Sequence, residues 1–327
     1  MKTRFTKFAG LAALATAAAL LSSEAMAEVT LTGVSCLPEG SYFSKRFEKF
    51  VGKVNKQGKG IVQIRYLGGA PAIGNPFTVI QKMSKGIYDI GSCSGAYYQN
   101  VLPEADAWKM LEKTPAEIRK NGGWAYMEKL HRKVKLLPLA RSHFGAPFHL
   151  YLGSKHKITK PDLSGLHLRV VPIYTNFFKK MGASTQQASM TEIFILMENG
   201  TIGGYGWPVS GLRPGWEKVT KYRVDPGFYD VDIQIMANAK SWDGLPEEAR
   251  VLLTKLALES EAEAAEIDAK DVAASKVAQA KFGFEVITFN ADETEKWSTA
   301  ARNAGWEGMA ETSPKHAKAL RKLFSAK

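Results

Sequence analysis

The chain has 327 residues, 45% hydrophobic and 23% charged, which suits two globular domains or one large one with a substantial core. A formal net charge of +12 favours anionic partners or surfaces, the plainer reading being a basic, soluble exterior. No basic-aromatic motif, zinc-finger spacing or arginine-rich run points to nucleic acid.

The chain opens like an export signal. Lys2, Arg4 and Lys7 precede an apolar stretch over 8–21, and Ala25-Met26-Ala27 has the small-x-small pattern of a cleavage site. Cleavage after Ala27 would place the mature protein in the periplasm. No later stretch approaches the roughly 18 apolar residues a bilayer span needs. A strand is expected over 29–35. A helix follows over 42–56, capped by Ser41, with Phe43, Phe47, Phe50, Val51 and Val54 at helical spacing. With a second strand over 61–67 this makes a strand–helix–strand unit, hence a parallel pair. A helix over 75–85, a strand over 88–92 and a loop carrying Tyr97 and Tyr98 come next. In open α/β sheets such loops, at the carboxyl ends of strands, hold ligands.

The two cysteines, Cys36 and Cys93, each follow an expected strand. If those strands are neighbours, the thiols are within disulfide reach; otherwise they are two small buried side chains. Further on, helices are expected over 105–111 and 115–132, strands over 135–139, 148–153 and 166–171, helices over 174–181 and 191–199, and strands over 222–224 and 232–238. Residues 246–281 contain no internal Gly or Pro and are crowded with Ala, Glu and Leu, which predicts one helix long enough to cross two domains.

Arg169 interrupts the apolar strand over 166–171. No acidic residue lies within six positions of it on either side. A guanidinium is always charged and is rarely buried without an anionic partner, so the partner is a distant acid or a ligand. Signs of catalysis are few. None of the six histidines forms a zinc-type spacing, and there is no H-E-x-x-H, nucleophile elbow, Walker loop or G-x-G-x-x-G. Gly203-Gly204-Tyr205-Gly206 runs into Trp207-Pro208 rather than into a helix, which argues against phosphate cradling. Tyr97, Tyr98, Tyr205, Trp207, Phe228 and Tyr229 are expected in loops beside Gly or Pro, where they serve either as walls of an apolar pocket or as core.

Several blocks in order, Gly-Leu-His-Leu-Arg-Val at 165–170, Phe-Phe-Lys-Lys-Met-Gly-Ala at 177–183, Glu-Ile-Phe-Ile-Leu-Met-Glu-Asn-Gly at 192–200 and Gly-Gly-Tyr-Gly-Trp-Pro at 203–208, resemble the substrate-binding proteins of TRAP (tripartite ATP-independent periplasmic) transporters, the DctP family. Tyr66-Leu67-Gly68-Gly69, the run 85–90 and the long helix after Pro246 fit the same pattern. The resemblance implies a two-lobed α/β periplasmic-binding-protein fold with a ligand cleft between the lobes. Lobe I would hold 28–148 and about 236–275, lobe II 149–235 and about 276–327. It further implies a monomer without cofactor that closes on a small organic acid and passes it to membrane permease subunits, Arg169 forming a bidentate pair with the ligand carboxylate.

The chain departs from the family where an acidic residue usually follows Asp-Gly: here stand Tyr205–Trp207. It departs again where a second arginine is common: here His149 follows Phe148. The implied ligand is a monocarboxylate with an apolar or aromatic body, contacted by Arg169, Trp207, Tyr205, Tyr97, Tyr98, Phe228 and His149. One branch of the family bridges its ligand with a cation. The run 226–230 resembles it, which would make Asp230 and the Trp207 carbonyl ligands of sodium or calcium. An exported enzyme using the same cleft and a ligand-presenting sensor subunit are the competing readings.

Overall fold

The structure, a computed structural model, describes residues 28–326; the expected export signal over 1–27 lies outside the described residues. No described helix is long and apolar enough to cross a membrane.

Two sheets organise the chain. The strands in chain order are β1 (Val29–Ser35), β2 (Val62–Gly69), β3 (Ile90–Ser94), β4 (Leu136–His143), β5 (Pro147–Leu152), β6 (His167–Val170), β7 (Ser184–Gln187), β8 (Gly204–Pro208), β9 (Tyr222–Asp230), β10 (Ile233–Asn238) and β11 (Glu285–Thr288). The first sheet runs β2-β1-β3-β10-β4 and the second β11-β9-β5-β8-β6-β7. β1 is parallel to β2 and β3, as the strand–helix–strand pattern requires, and β10 enters between β3 and β4 antiparallel to both. The chain therefore passes between sheets at three places: from β4 to β5, from β9 to β10, and along the long helix.

The helix Lys45–Gln57 buries Phe47, Phe50, Val51 and Val54 against the first sheet. It starts later than expected, and Ser41 does not cap it. Ser44 takes the N-cap position and donates its hydroxyl to the Pro38 carbonyl instead, at 2.6 Å. Cys36 and Cys93, just beyond the paired ends of β1 and β3, form a buried disulfide with Cα atoms 5.1 Å apart.

Two segments expected as loops are strands. Gly204–Pro208 is a central strand of the second sheet, and Tyr222–Asp230 runs six residues past the expected 222–224. Pro226 is tolerated because the β5–β9 register shifts beside it, so the missing N–H breaks no regular ladder.

The long helix Glu247–Lys281 is 35 residues, roughly 52 Å at 1.5 Å per residue. Ala249, Leu253, Leu256 and Ala257 at its start belong to the first lobe's core. Gln279 near its end donates to the Tyr151 hydroxyl and the Val209 carbonyl of the second lobe, at 3.1 and 2.8 Å. One element thus crosses both lobes. The C-terminal helices correct the expected division. Ala291–Thr312 packs against both lobes. Pro314–Phe324 sits on the first lobe, not the second, because Phe324 stacks on Trp108 with ring centroids 5.6 Å apart.

Candidate ligand cleft

Arg169 lies in β6, between β7 and β8, and is 0% exposed. Its Nε donates to the Ala188 carbonyl at 2.9 Å and its Nη1 to the Tyr174 hydroxyl at 3.0 Å. Tyr174 in turn donates to the Gly206 carbonyl at 2.7 Å. Nη2 is buried and has no partner. Among the described residues no carboxylate comes within 4.0 Å of the guanidinium, so the distant-acid alternative fails. A buried, fixed and half-satisfied guanidinium is poised to take a planar anion.

Gly206 makes this arrangement possible. A Cβ there would lie 2.6 Å from the Tyr174 ring, which is itself held among Phe148, Phe178 and Phe228. The bare backbone of β8 lets Tyr174 cross it and reach both the Gly206 carbonyl and Arg169.

Arg169 faces a cavity of about 40 Å³ between the lobes, whose walls include Trp207, Phe148, Tyr97, Ser94 and Asp232. That is room for a few water-sized groups. The lobes touch across it. Phe43 of the first lobe packs edge-on against Trp207 of the second with centroids 5.7 Å apart, and Lys109 donates to the Ile173 carbonyl. Outside the Phe43–Trp207 contact a wider groove of about 730 Å³ opens along Tyr42, Leu212 and Arg213.

Of the residues expected in the site, Arg169, Trp207 and Tyr97 line this cavity. Burial raises the pKa of the Tyr97 hydroxyl, while Arg169 acts in the opposite sense. The other four lie elsewhere. Tyr98 turns into the first lobe, its hydroxyl 3.1 Å from His131 Nε2. Tyr205 stacks on Tyr151 at 5.4 Å and shares a hydrogen bond with the Thr220 hydroxyl at 2.8 Å, inside the second lobe. Phe228 sits in an aromatic cluster with Phe177, Phe178 and Trp297. His149 Nδ1 is 2.9 Å from the Val224 carbonyl and 2.8 Å from Asp225. Although burial opposes it, hydrogen bonds from His149 and Arg223 hold the Asp225 carboxyl well below the usual range.

The expected cation pair does not meet. β5 separates β8 from β9, so Asp230 and Trp207 stand two strand spacings, roughly 10 Å, apart. The Asp230 carboxylate accepts from Gly145 N–H at 2.7 Å and lies 3.7 Å from Arg141 Nη2.

The residues that sequence reasoning missed are Tyr174, Phe43, Phe148, Ser94 and Asp232. Tyr174 and Phe43 read as apolar helix positions, and nothing local marks Ser94 or Asp232 as facing a cleft. Asp232 is the acid of the cavity. It accepts from the Ser94 hydroxyl at 2.6 Å and from Gly95 N–H at 2.7 Å, and burial pushes its pKa up to about 7. Asp106 and Lys109 form a buried ion pair at 2.7 Å nearby, Asp106 raised and Lys109 lowered by burial.

The sequence profile of bacterial extracellular solute-binding protein family 7, DctP, matches residues 34–312. The chain belongs to this family. A solute-binding protein of Roseobacter denitrificans is 29% identical over 219 residues, covering 64% of this chain and 66% of that one. A monocarboxylate 2-oxoacid-binding periplasmic protein of Nostoc is 20% identical, covering 56% of this chain and 52% of that one. The matched segments therefore span between about half and two thirds of the length of these relatives. Among solved structures, a TRAP periplasmic solute-binding protein from Desulfovibrio salexigens with bound orotic acid superposes with a TM-score of 0.78 at 16% identity, covering 90% of this chain and 97% of that one. The two-lobed architecture of this DctP-family chain is thus that of the TRAP solute-binding proteins.

Proposed function

We propose that the mature protein is an exported receptor that takes a small monocarboxylic acid into the cleft between its lobes and delivers it to the membrane subunits of a TRAP-type permease. The observation that carries this reading is Arg169, which lines the cavity fully buried, with no acid within 4.0 Å and no hydrogen-bond partner for Nη2 among the described residues. The family supplies the solute-binding role. Orotic acid in the Desulfovibrio salexigens protein and the 2-oxoacid named for the Nostoc relative support an acidic ligand.

The ligand carboxylate would take Nη2 and its lone pairs would complete the guanidinium. In a cleft closed to water the pair is strong, and either partner alone is costly. The walls beyond it are mainly apolar, with Phe43, Phe148, Val171, Ile173 and Trp207, which favours a compact body over a polyhydroxylated one. The route in is by hinge opening: Phe43 and Trp207 part, and the segments between β4 and β5 and between β9 and β10 bend.

This reading includes no bridging cation; Asp230 accepts from Gly145 N–H and lies beside Arg141. Titration of the mature protein with a panel of carboxylates tests the reading. Micromolar or tighter binding of an acid recovered unchanged, unaffected by chelator or by sodium replacement, is the expected result. Turnover of the bound acid would favour the enzymatic reading instead, and a panel without a single binder would end the proposal.

A further inference from the structure

The cavity in front of Arg169 holds a second charged group. Asp232, at the junction of β9 and β10, is 1% exposed. Its two oxygens take one hydrogen bond each, from the Ser94 hydroxyl and from Gly95 N–H. An ionised carboxylate offers about four acceptor sites, so roughly half its capacity is open. No lysine, arginine or histidine nitrogen lies within 4.0 Å of it among the described residues. Its elevated pKa has this origin: burial raises it and Asp106 adds to the rise, while Ser94, Arg141 and Gly95 oppose it only in part.

Arg169 and Asp232 thus line one small cavity without pairing with each other. Tyr97 registers both, since Arg169 favours and Asp232 disfavours ionisation of its hydroxyl. The site has a donor end that lacks an acceptor and an acceptor end that lacks a cation. A plain apolar acid would satisfy the first and leave the second dry and underused.

We infer that Asp232 sets the specificity of the cleft by accepting a hydrogen bond from an O–H or N–H group on a monocarboxylate whose carboxylate is held by Arg169. The inference rests on the proposed function and names its ligand class: small hydroxy acids, or acids bearing an N–H. A dicarboxylate of the same length would bring its second charge against Asp232 and is rejected by repulsion. A 2-oxo acid presents an acceptor where a donor is needed, and a site built for a hydrogen bond discriminates strongly against a ligand that cannot make it.

Matched acids on one skeleton separate these contributions. The probes are propanoate, 2-hydroxypropanoate, 2-oxopropanoate and propanedioate, with phenylacetate, mandelate, phenylglyoxylate, proline and 5-oxoproline as larger members. Each is titrated calorimetrically at about pH 8.5, where Asp232 is ionised and can only accept, into the wild type, Asp232→Asn, Asp232→Ala and Arg169→Ala. In the wild type the donor-bearing member of a series binds at least tenfold tighter than its partners. In both Asp232 variants the ratio of donor-bearing to donor-free affinity narrows, most in Asp232→Ala because the asparagine amide oxygen still accepts, and in Arg169→Ala every acid weakens by roughly thirtyfold or more. A wild type that binds acids without regard to the donor, or a ratio unchanged in both Asp232 variants, overturns this inference alone. A wild type that binds none of the acids overturns the proposed function with it. If neither Asp232 variant folds, a wild type without the donor preference still overturns the inference.

Discussion

Arg169 has given up water without gaining an acid. Its hydrogen-bond partners among the described residues are the Ala188 carbonyl and the Tyr174 hydroxyl, and its guanidinium lies 6.0 Å from the Trp207 ring centroid. Removing one partner of a buried charged pair costs on the order of 2–5 kcal/mol, so Arg169→Ala should weaken carboxylate binding by roughly thirtyfold or more while the fold survives. Titration calorimetry together with a thermal melt checks both halves. Tyr174→Phe removes the hydroxyl that fixes Nη1 but keeps the ring. It should cost about 1.5–3 kcal/mol of affinity, the usual range for one hydrogen bond to a charged group. Gly206→Ala places a methyl 2.6 Å from a ring that has nowhere to go. A loss of about 1–3 kcal/mol in stability is expected, with weaker binding, although Arg169 itself is untouched.

Asp232 gives a pH signature in the same region. Its folded pKa, about 7, lies above the ordinary carboxylate value, so between about pH 4 and pH 7 the folded state binds more protons than the unfolded one. Its contribution to stability therefore falls as pH rises through that window. Arg141 and Asp106 act on it from neighbouring elements. Asp232→Asn should flatten this part of the profile, with melting temperature gaining on the wild type at pH 8 relative to pH 5. An unchanged slope would show that Asp232 is not the group responsible.

At the scale of elements, periodicity was readable and punctuation misled. The helix Lys45–Gln57 follows from apolar spacing, and the long helix Glu247–Lys281 from the absence of Gly and Pro. The glycines and prolines of 203–208 and 226–227 look like loop residues, yet they lie in or at strands. They serve close approach: a Cβ at Gly204 would meet the Tyr151 carbonyl oxygen at 2.4 Å, and one at Gly227 the Phe148 carbonyl oxygen at 2.7 Å. Once these segments are strands, Tyr205 and Phe228 become core: Tyr205 and Trp207 share one face of β8, and position along the strand, not alternation, leaves Trp207 at the cavity and packs Tyr205 on Tyr151 and Trp216. The disulfide ties β1 to β3 across a separation of 57 residues. Replacing both cysteines with serine should cost about 2–5 kcal/mol, read as a lowered denaturation midpoint with a steeper slope, because the unfolded chain loses its cross-link and exposes more surface.

For the whole molecule, the cleft is bounded by contacts between lobes that are far apart in sequence: Phe43 on Trp207, and Lys109 on Ile173. Lys109 also pairs with buried Asp106, which Gln99 holds at 2.7 Å. Lys109→Met removes the cation of this pair and the cross-cleft bond together. It should lower stability by up to about 3–5 kcal/mol. It should also raise the radius of gyration of the ligand-bound protein in solution scattering, since the closed arrangement loses a tie.

The resemblance to the DctP family supplied the two lobes; the sequence by itself determined the α/β pattern, the domain-crossing helix and the anomaly of one arginine in an apolar strand. These rest on local periodicity and on the cost of burying a charge, both of which can be read within a few residues. The tertiary structure alone decided which aromatic side chains reach the cleft, that Asp230 is spent on Gly145 and Arg141, and that Asp232 shares a cavity with Arg169. Those outcomes depend on strand register and on which face of each sheet meets the other lobe. A shift of one residue inverts every side chain along a strand, and nothing local to the chain records it.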